Sequence, residues 1–443
     1  MLDRASSSRR SFLAASAAAA SLLALQSCSV FGGKRRTSGR LRHAGIGVGG
    51  MGEHDLGAIA SHPDVDVVAL CDVDAGNLRK AAEKFPKARL YRDWRELMEH
   101  EDDFDSVHVT IPDHMHAVVM IAALERGKHV YGQKPLTRTI HEARAVRKAA
   151  RRARTVTQMG IQNRSQPKLR AAHTLFQQDH IGRVHTVHVW TDRPHGWWPQ
   201  GVGRPAAIDP VPVDLDWNLW LGVAPERPYA KGAYHPFAWR GWKDFGSGAQ
   251  GDMGCHLMDP AMWFLELGAP LTVRSDGPAP NDETFPLWSE TRYEFAATKH
   301  TTRGPLVLHW HDGGRKPPRP LLDDLGAGEI VDNGCLFVGE KGALLASSEA
   351  PPRLLGDARF AAVPVPEGDD VNHWHQWVDA CLDRGETTAH FDYAGHLTEV
   401  VLLGNVALQR PHESLRWDAE TASFPENPDA DRFLGATYRR GWA

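Results

Sequence analysis

The stretch Leu41–Gly52, LRHAGIGVGGMG, places the strongest constraint on this chain. A short apolar run ends in glycines, and the MGEHDLGAIASH that follows carries apolar residues at helical spacing. Gly47, Gly49 and Gly52 satisfy G-x-G-x-x-G, with Gly50 and Met51 completing the turn. In a chain with 41 glycines that spacing arises easily by chance, so its surroundings decide. A second apolar run, VDVVALCD, ends in Asp72, twenty residues after Gly52. An acid there accepts hydrogen bonds from a ribose diol and repels a 2′-phosphate, which favours NAD over NADP. Backbone N–H groups opening the helix then face the pyrophosphate.

The alternation continues with DFDSVHVTIP, MHAVVMIAALERG, KHVYGQKP, TIHEARAVRKAARRA and TVTQMG as strand, helix, strand, helix and strand. This pattern predicts an α/β fold that opens with a Rossmann-type doubly wound parallel sheet over residues 41–160. Ligands lie outside the carboxyl ends of such strands. Two polar clusters occur there, Pro112-Asp113-His114-Met115-His116 and Gln133-Lys134-Pro135. A helix N-terminus at Asp113, with the histidines lining or flanking the nucleotide, is preferred over an H-x-H metal pair. Lys134, at the end of a central strand, is placed to hold a substrate hydroxyl or an alkoxide by charge. Pro135 fixes the turn that aims it. Pro112, Asp113, His116, Gln133, Lys134 and Pro135 are therefore expected at the cofactor, and no metal is expected.

From about Ile161 the pattern changes. RVHTVHVW, TRYEFAA, LVLHWHD and CLFVGEKGALLAS are strand-like without regular intervening helices. They predict an α+β domain over 161–443 with a large, mostly antiparallel open sheet. Eight of the fifteen tryptophans fall between Trp190 and Trp263, in and around a long proline-rich loop. Aromatic faces above polar rims suit a sugar ring, and filling a core or a subunit interface is the alternative. In GSGAQGDMGCHLMDPAMWFL, Asp252, His256 and Asp259 fall within roughly 60° of one another on a helix. A carboxylate one turn from a histidine can orient it and favour its protonated form, which suits a general base. Gln162, Arg164, Tyr234, Trp239, Arg240 and Asp259 are expected around the substrate.

Residues 1–27 read as an export signal: Arg9–Arg10 is followed by Ser11, Phe12, Leu13 and a mild apolar run to Leu25. That run is shorter than the roughly 20 apolar residues of a spanning helix. Leu25-Gln26-Ser27-Cys28 resembles a lipobox, so Cys28 is expected to carry a lipid anchor at the head of a polar tether over 28–40; cleavage to a soluble periplasmic protein is the alternative. Residues 1–40 hold seven Lys/Arg and one Asp, which leaves 44 basic and 54 acidic groups in the remainder, a net of −10. A body so acidic has no overall electrostatic footprint for nucleic acid or anionic lipid. The five cysteines have no paired spacing.

Together the Gly47–Gly52 loop, Asp72, Pro112–His116, Lys134-Pro135 and Asp252-x-x-x-His256 resemble the Gfo/Idh/MocA oxidoreductases, from about Leu41 to Ala443. LDWNLWLGVAPERPY, YHPFAWRGWKDFGSGAQGDMGCHLMDP and FLGATYRRGW look like an exported, twin-arginine subgroup. The resemblance implies oxidation of a secondary hydroxyl on a sugar, glycoside or polyol, with hydride passing to NAD. His256 would take the proton, Asp252 would orient His256, and Lys134 would steady the oxygen. It also implies pairing of subunits through the open sheet. Gln133 departs from the glutamate usual in the family, and exported relatives often have glutamine there. A redox-neutral glycosidase or epimerase working through a transient keto-sugar, and a non-catalytic sugar-binding lipoprotein, are the alternatives.

Overall fold

Short apolar runs separated by helices pair side by side, as they must when each crossover returns the chain to the same edge direction. The computed structural model describes residues 39–442, so the expected signal segment, Cys28 and nearly all of the tether lie outside the described residues. The first six strands are β1 (Leu41–Ile46), β2 (Val65–Cys71), β3 (Arg89–Tyr91), β4 (Ser106–Val109), β5 (His129–Gly132) and β6 (Thr157–Met159). They form one sheet in the order β3-β2-β1-β4-β5-β6, every pair parallel. The order reverses between β1 and β4, and a crevice opens there at the carboxyl ends. Its connecting helices are α1 (Met51–Ala60), α2 (Ala75–Lys84), α3 (Trp94–Glu99), α4 (Asp113–Glu125) and α5 (Ile140–Ala153). Thr139 and Glu142 close a capping box on α5, the expected start signal for that helix.

The second sheet has eight strands: β7 (Val184–Trp190), β8 (Pro270–Asp276), β9 (Glu290–Phe295), β10 (Leu306–His311), β11 (Gly334–Gly339), β12 (Gly342–Ala346), β13 (Arg353–Leu355) and β14 (Leu415–Arg416). Their order is β13-β12-β11-β7-β10-β9-β8-β14. Only β7 and β10 run parallel, so the sheet is mostly antiparallel, as expected. In β9, Thr291, Tyr293 and Phe295 point into the core and Glu290, Arg292 and Glu294 point away from it.

Seven further helices complete the fold: α6 (Pro167–Gln177), α7 (Trp217–Leu221), α8 (Gly248–Leu257), α9 (Asp259–Phe264), α10 (Arg319–Asp324), α11 (His373–Cys381) and α12 (Phe391–Ala407). α12 is buried nearly all round, because it packs on α5 and α8 and on strands β6 and β8. Trp377, Val378 and Cys381 of α11 share a core with Leu41, Ile59 and Tyr131. Helices from late in the chain thus wall the first sheet, and Leu41–Ala443 is one compact unit. Cys71, Cys255, Cys335 and Cys381 are buried and form no disulfide with one another. No described helix is long and apolar enough to cross a membrane.

Most of the clustered tryptophans fill core. Trp220, Trp239 and Trp242, with Trp217 packed against them, join Tyr229, Tyr234 and Phe245 in a small core separate from the main one. Trp217 and Trp220 stack at 4.7 Å between ring centroids. Tyr234, expected near the substrate, is 1% exposed and packs within that cluster.

Candidate active site

β1 delivers the chain into the glycine turn, and the turn is packed too tightly for any side chain at two positions. Gly47 has φ +80°, and a Cβ there would lie 2.2 Å from the Thr110 carbonyl oxygen; a Cβ on Gly52 would lie 2.0 Å from the Gly47 carbonyl oxygen. α1 begins at Met51 with Gly50 as its N-cap and no side-chain cap; Gly52 N donates to the Gly49 carbonyl oxygen (3.0 Å), which leaves the Met51 and Glu53 N–H groups for an anion. Asp72, just past β2, accepts hydrogen bonds from Val48 N (2.9 Å) and Asp74 N (2.8 Å). Burial raises its pKa, and those two N–H groups oppose the rise. An uncapped turn beside an acid at the strand end fits a dinucleotide: Gly49, Gly50 and Met51 would hold the pyrophosphate and Asp72 the ribose.

α4 opens at Asp113 behind Pro112. The two histidines of its first turn are braces. His116 has ring nitrogens 2.9 Å from the Pro135 carbonyl oxygen and 2.7 Å from that of Ile111, so it ties the two strand-end turns together and has no nitrogen left for a nucleotide. His114 sits between the carbonyl oxygens of Phe245 and Trp220. No group of three or more metal-binding side chains occurs among the described residues.

Gln133 shows why an amide suits its position. Its Nε2 donates to Asp55 Oδ2 at 2.9 Å, and its Oε1 accepts the Lys134 N–H at 3.0 Å. Asp55, fully buried on α1, also accepts from Thr110 Oγ1 (2.8 Å) and Trp374 Nε1 (2.9 Å). A glutamate at 133 would set two buried carboxylates against each other. Asp55 was missed in the sequence, although an acid one helical turn from buried Ile59 is a signal of a paired buried charge.

Lys134 leads through a cis bond into Pro135. Its Nζ donates to Asp252 Oδ1 (2.9 Å) and to the Asp252 carbonyl oxygen (2.8 Å) on α8. Arg240 Nε donates to the same Oδ1 at 3.2 Å, and its guanidinium stacks on Trp239 at 4.4 Å. Burial pushes the Asp252 carboxyl up, but Lys134 and then Arg240 outweigh it and hold its pKa at about 2. The expected link from Asp252 to His256 is absent: both lie on α8 one turn apart, yet the carboxylate turns to the two cations. Charge-assisted bonds to ammonium and guanidinium exceed what a neutral imidazole offers. His256 Nδ1 is instead buried without a partner. Burial, then the Lys134 charge, lower its pKa to about 3, so the ring is neutral at pH 7.

Ser247 Oγ donates to Asp113 Oδ2 at 2.6 Å. Burial, and then the Asp252 charge, raise the Asp113 carboxyl to a pKa of about 7 despite that bond. A carboxyl whose pKa is raised on folding stabilises the fold most below its unfolded value of about 4 and loses that contribution as pH rises through about 7. Asp113→Asn is therefore expected to flatten the fall in stability between those limits, read by denaturant unfolding across a pH series. An unchanged slope would remove Asp113 as its source.

One turn beyond His256, Asp259 accepts Arg164 Nη1 (2.6 Å) and Tyr393 Oη (2.5 Å). The Arg164 guanidinium lies 4.4 Å from the ring centroids of both Trp263 and Tyr393, and its Nε is buried without a partner. Gln162 Nε2 reaches Tyr131 Oη at 3.5 Å. Arg240 thus meets α8 at Asp252 and Arg164 meets the start of α9 at Asp259, whereas Tyr234 stays in the small core that it shares with Trp239. Tyr393 carries no local sequence signal; only the fold brings it to Asp259.

Residues 41–161 match the description "Oxidoreductase family, NAD-binding Rossmann fold", and residues 167–302 match "Oxidoreductase family, C-terminal alpha/beta domain". Both descriptions are of one family, and together they cover more than half of the chain. The chain belongs to the Gfo/Idh/MocA oxidoreductase family. Within this family it is 28% identical over 187 residues to levoglucosan dehydrogenase from Pseudarthrobacter phenanthrenivorans, covering 42% of this chain and 39% of that protein. It is 30% identical over 146 residues to inositol 2-dehydrogenase from Salmonella paratyphi B, covering 32% and 43%. The chain thus spans about two fifths of the length of the curated relatives it matches. The solved WlbA dehydrogenase from Bordetella pertussis, in complex with NADH and UDP-GlcNAcA, superposes with a TM-score of 0.61 at 16% identity, over 86% of this chain and 99% of that one. At that identity the likeness is one of fold.

Proposed function

We propose that this Gfo/Idh/MocA protein oxidises a secondary hydroxyl of a sugar, glycoside or polyol, with a dinucleotide that stays bound and is recycled. The observation that carries this reading is the Lys134 ammonium seated on Asp252, on the same helix as His256 and at the carboxyl edge of the sheet that bears the glycine turn. NAD, when bound, supplies a hydride acceptor. Lys134 holds the substrate oxygen by charge as the proton leaves it. His256, whose ring is neutral, takes that proton. Asp252 and Arg240 position the ammonium. Relatives that act on levoglucosan and inositol support a carbohydrate substrate.

The twin-arginine segment supports export of the folded protein, with Cys28 as lipid anchor and residues 28–40 as tether. Residues 41–160 then form the nucleotide half and 161–443 the substrate half, and two copies would pair through the open face of the second sheet, as the family resemblance implies. Outside the cytoplasm no free dinucleotide pool replaces what dissociates. Retention for about an hour needs a dissociation rate near ~10⁻⁴ s⁻¹; with association at ~10⁶ M⁻¹s⁻¹ the Kd is about 10⁻¹⁰ M, roughly −13.6 kcal/mol. The exported protein, purified and then denatured, is expected to release close to one nicotinamide nucleotide per chain. Its absence from the supernatant, assayed enzymatically, would count against retention.

A further inference from the structure

The net acidity of the body conceals one strongly basic cleft. Arg144, Arg147, Lys148, Arg151 and Arg152 fall at i, i+3, i+4, i+7 and i+8 along α5, a single stripe of like charge. With Ala419 they line a cavity of about 420 Å³ whose walls contain no carboxylate. Neighbouring like charges on a helix face oppose one another, so such a stripe lowers helix stability unless counter-ions meet it. Two carboxylates do so from α12. Glu399 takes Arg144 in a two-pronged pair at 2.6 and 2.8 Å, and Asp392 takes Arg147 at 3.3 Å and Arg151 at 2.5 Å. Arg144 also donates to the Ala419 carbonyl oxygen, and Asp418 caps its own turn at the N–H groups of Glu420 and Thr421. Lys148 and Arg152 have no partner among the described residues, which leaves five cations against two carboxylates. The favourable field at a helix C-terminus accounts for Arg151 and Arg152, which lie in the last turn, but not for Lys148 or for the cleft.

We propose that this cleft is an anion site for a phosphate-bearing ligand, separate from Lys134 and His256. Guanidinium groups held in place by Glu399 and Asp392 present their remaining N–H donors as planar forks, the geometry that matches phosphate oxygens. The volume falls within the roughly 300–1,000 Å³ of small-molecule pockets, so it admits an organic group attached to the phosphate. That phosphate can come from a soluble ester or from the headgroup of an anionic lipid.

The test compares the full chain with Lys148→Glu/Arg152→Glu, and with Lys148→Gln/Arg152→Gln in case charge reversal perturbs the helix. Far-UV circular dichroism and an unchanged thermal midpoint in chloride show that each variant is folded. One arm titrates inorganic phosphate against chloride at matched ionic strength and follows the thermal midpoint; the other measures co-sedimentation with phosphatidylglycerol–phosphatidylcholine vesicles against phosphatidylcholine alone. The wild-type chain is expected to respond in at least one arm, with the apparent affinity at least fivefold weaker in both variants. A phosphate response without dependence on phosphatidylglycerol identifies a soluble ester, and the reverse identifies a headgroup. Wild type and variants indistinguishable in both arms would overturn the site. Neither arm reads hydride transfer, so this result is independent of the redox assignment.

Discussion

Lys134→Ala is expected to slow reduction of the bound nucleotide by about 10²–10³-fold, the usual effect of removing one group that stabilises a developing oxyanion. The assay is single-turnover absorbance of the reduced nicotinamide with the member of a sugar, glycoside and polyol panel that reduces the wild type. Nucleotide content should be largely retained, because the glycine turn and Asp72, not Lys134, would hold the pyrophosphate and the ribose. His256→Ala should give a loss of similar size with no change in the Asp252 pair. Arg240→Ala should cost less, since Lys134 still compensates the carboxylate. A wild-type rate in Lys134→Ala would exclude the ammonium from the chemistry. A protein that binds the same sugars without ever reducing its nucleotide would instead be a binding lipoprotein on this fold.

The second large effect concerns Gln133→Glu, a change toward the residue usual in the family that should nevertheless be harmful here. It would bring a carboxylate to where Nε2 now donates to Asp55 at 2.9 Å, in a fully buried place. An unsatisfied buried charge of this kind costs about 3 kcal/mol or more. The pair would have to hold a proton between them, raising a folded-state pKa. The penalty should therefore be small near pH 4, grow as pH rises, and appear in denaturant unfolding as a midpoint that falls with pH. Asp55→Asn in the same chain should restore most of the loss, because an amide then faces the new carboxylate. A single variant as stable as wild type at pH 8, or a double variant no better than the single, would break the reciprocity of the two positions.

The sequence and the structure agree where physics is local. β1, β2, β4, β5 and β6 announce themselves as apolar runs ahead of glycine, aspartate or proline, and the turn between β1 and α1 declares itself through glycines that only a tight bend needs. β3 was illegible because Arg89–Tyr91 is three residues with an exposed face, paired only to β2. α12 was illegible for the opposite reason: a helix apolar on all sides has no period to read. At the site, helical spacing placed Asp252 and His256 correctly on one face but did not show that a lysine 118 residues away claims the carboxylate. The same limit applies to the tryptophans, whose number spoke equally for a sugar platform and for the small core they form.

The late helices α11 and α12 have a consequence for the life of the chain. A polypeptide emerging from the ribosome has β1–β6 and α1–α5 available early, yet part of the packing on that sheet, α11 against Leu41, Ile59 and Tyr131 and α12 against β6 and α5, arrives only with residues 373–407. Completion of that core is thus deferred until residues 373–407 have been made. Under the export proposed above, such a chain would finish this packing, and meet dinucleotide, before it leaves the cytosol.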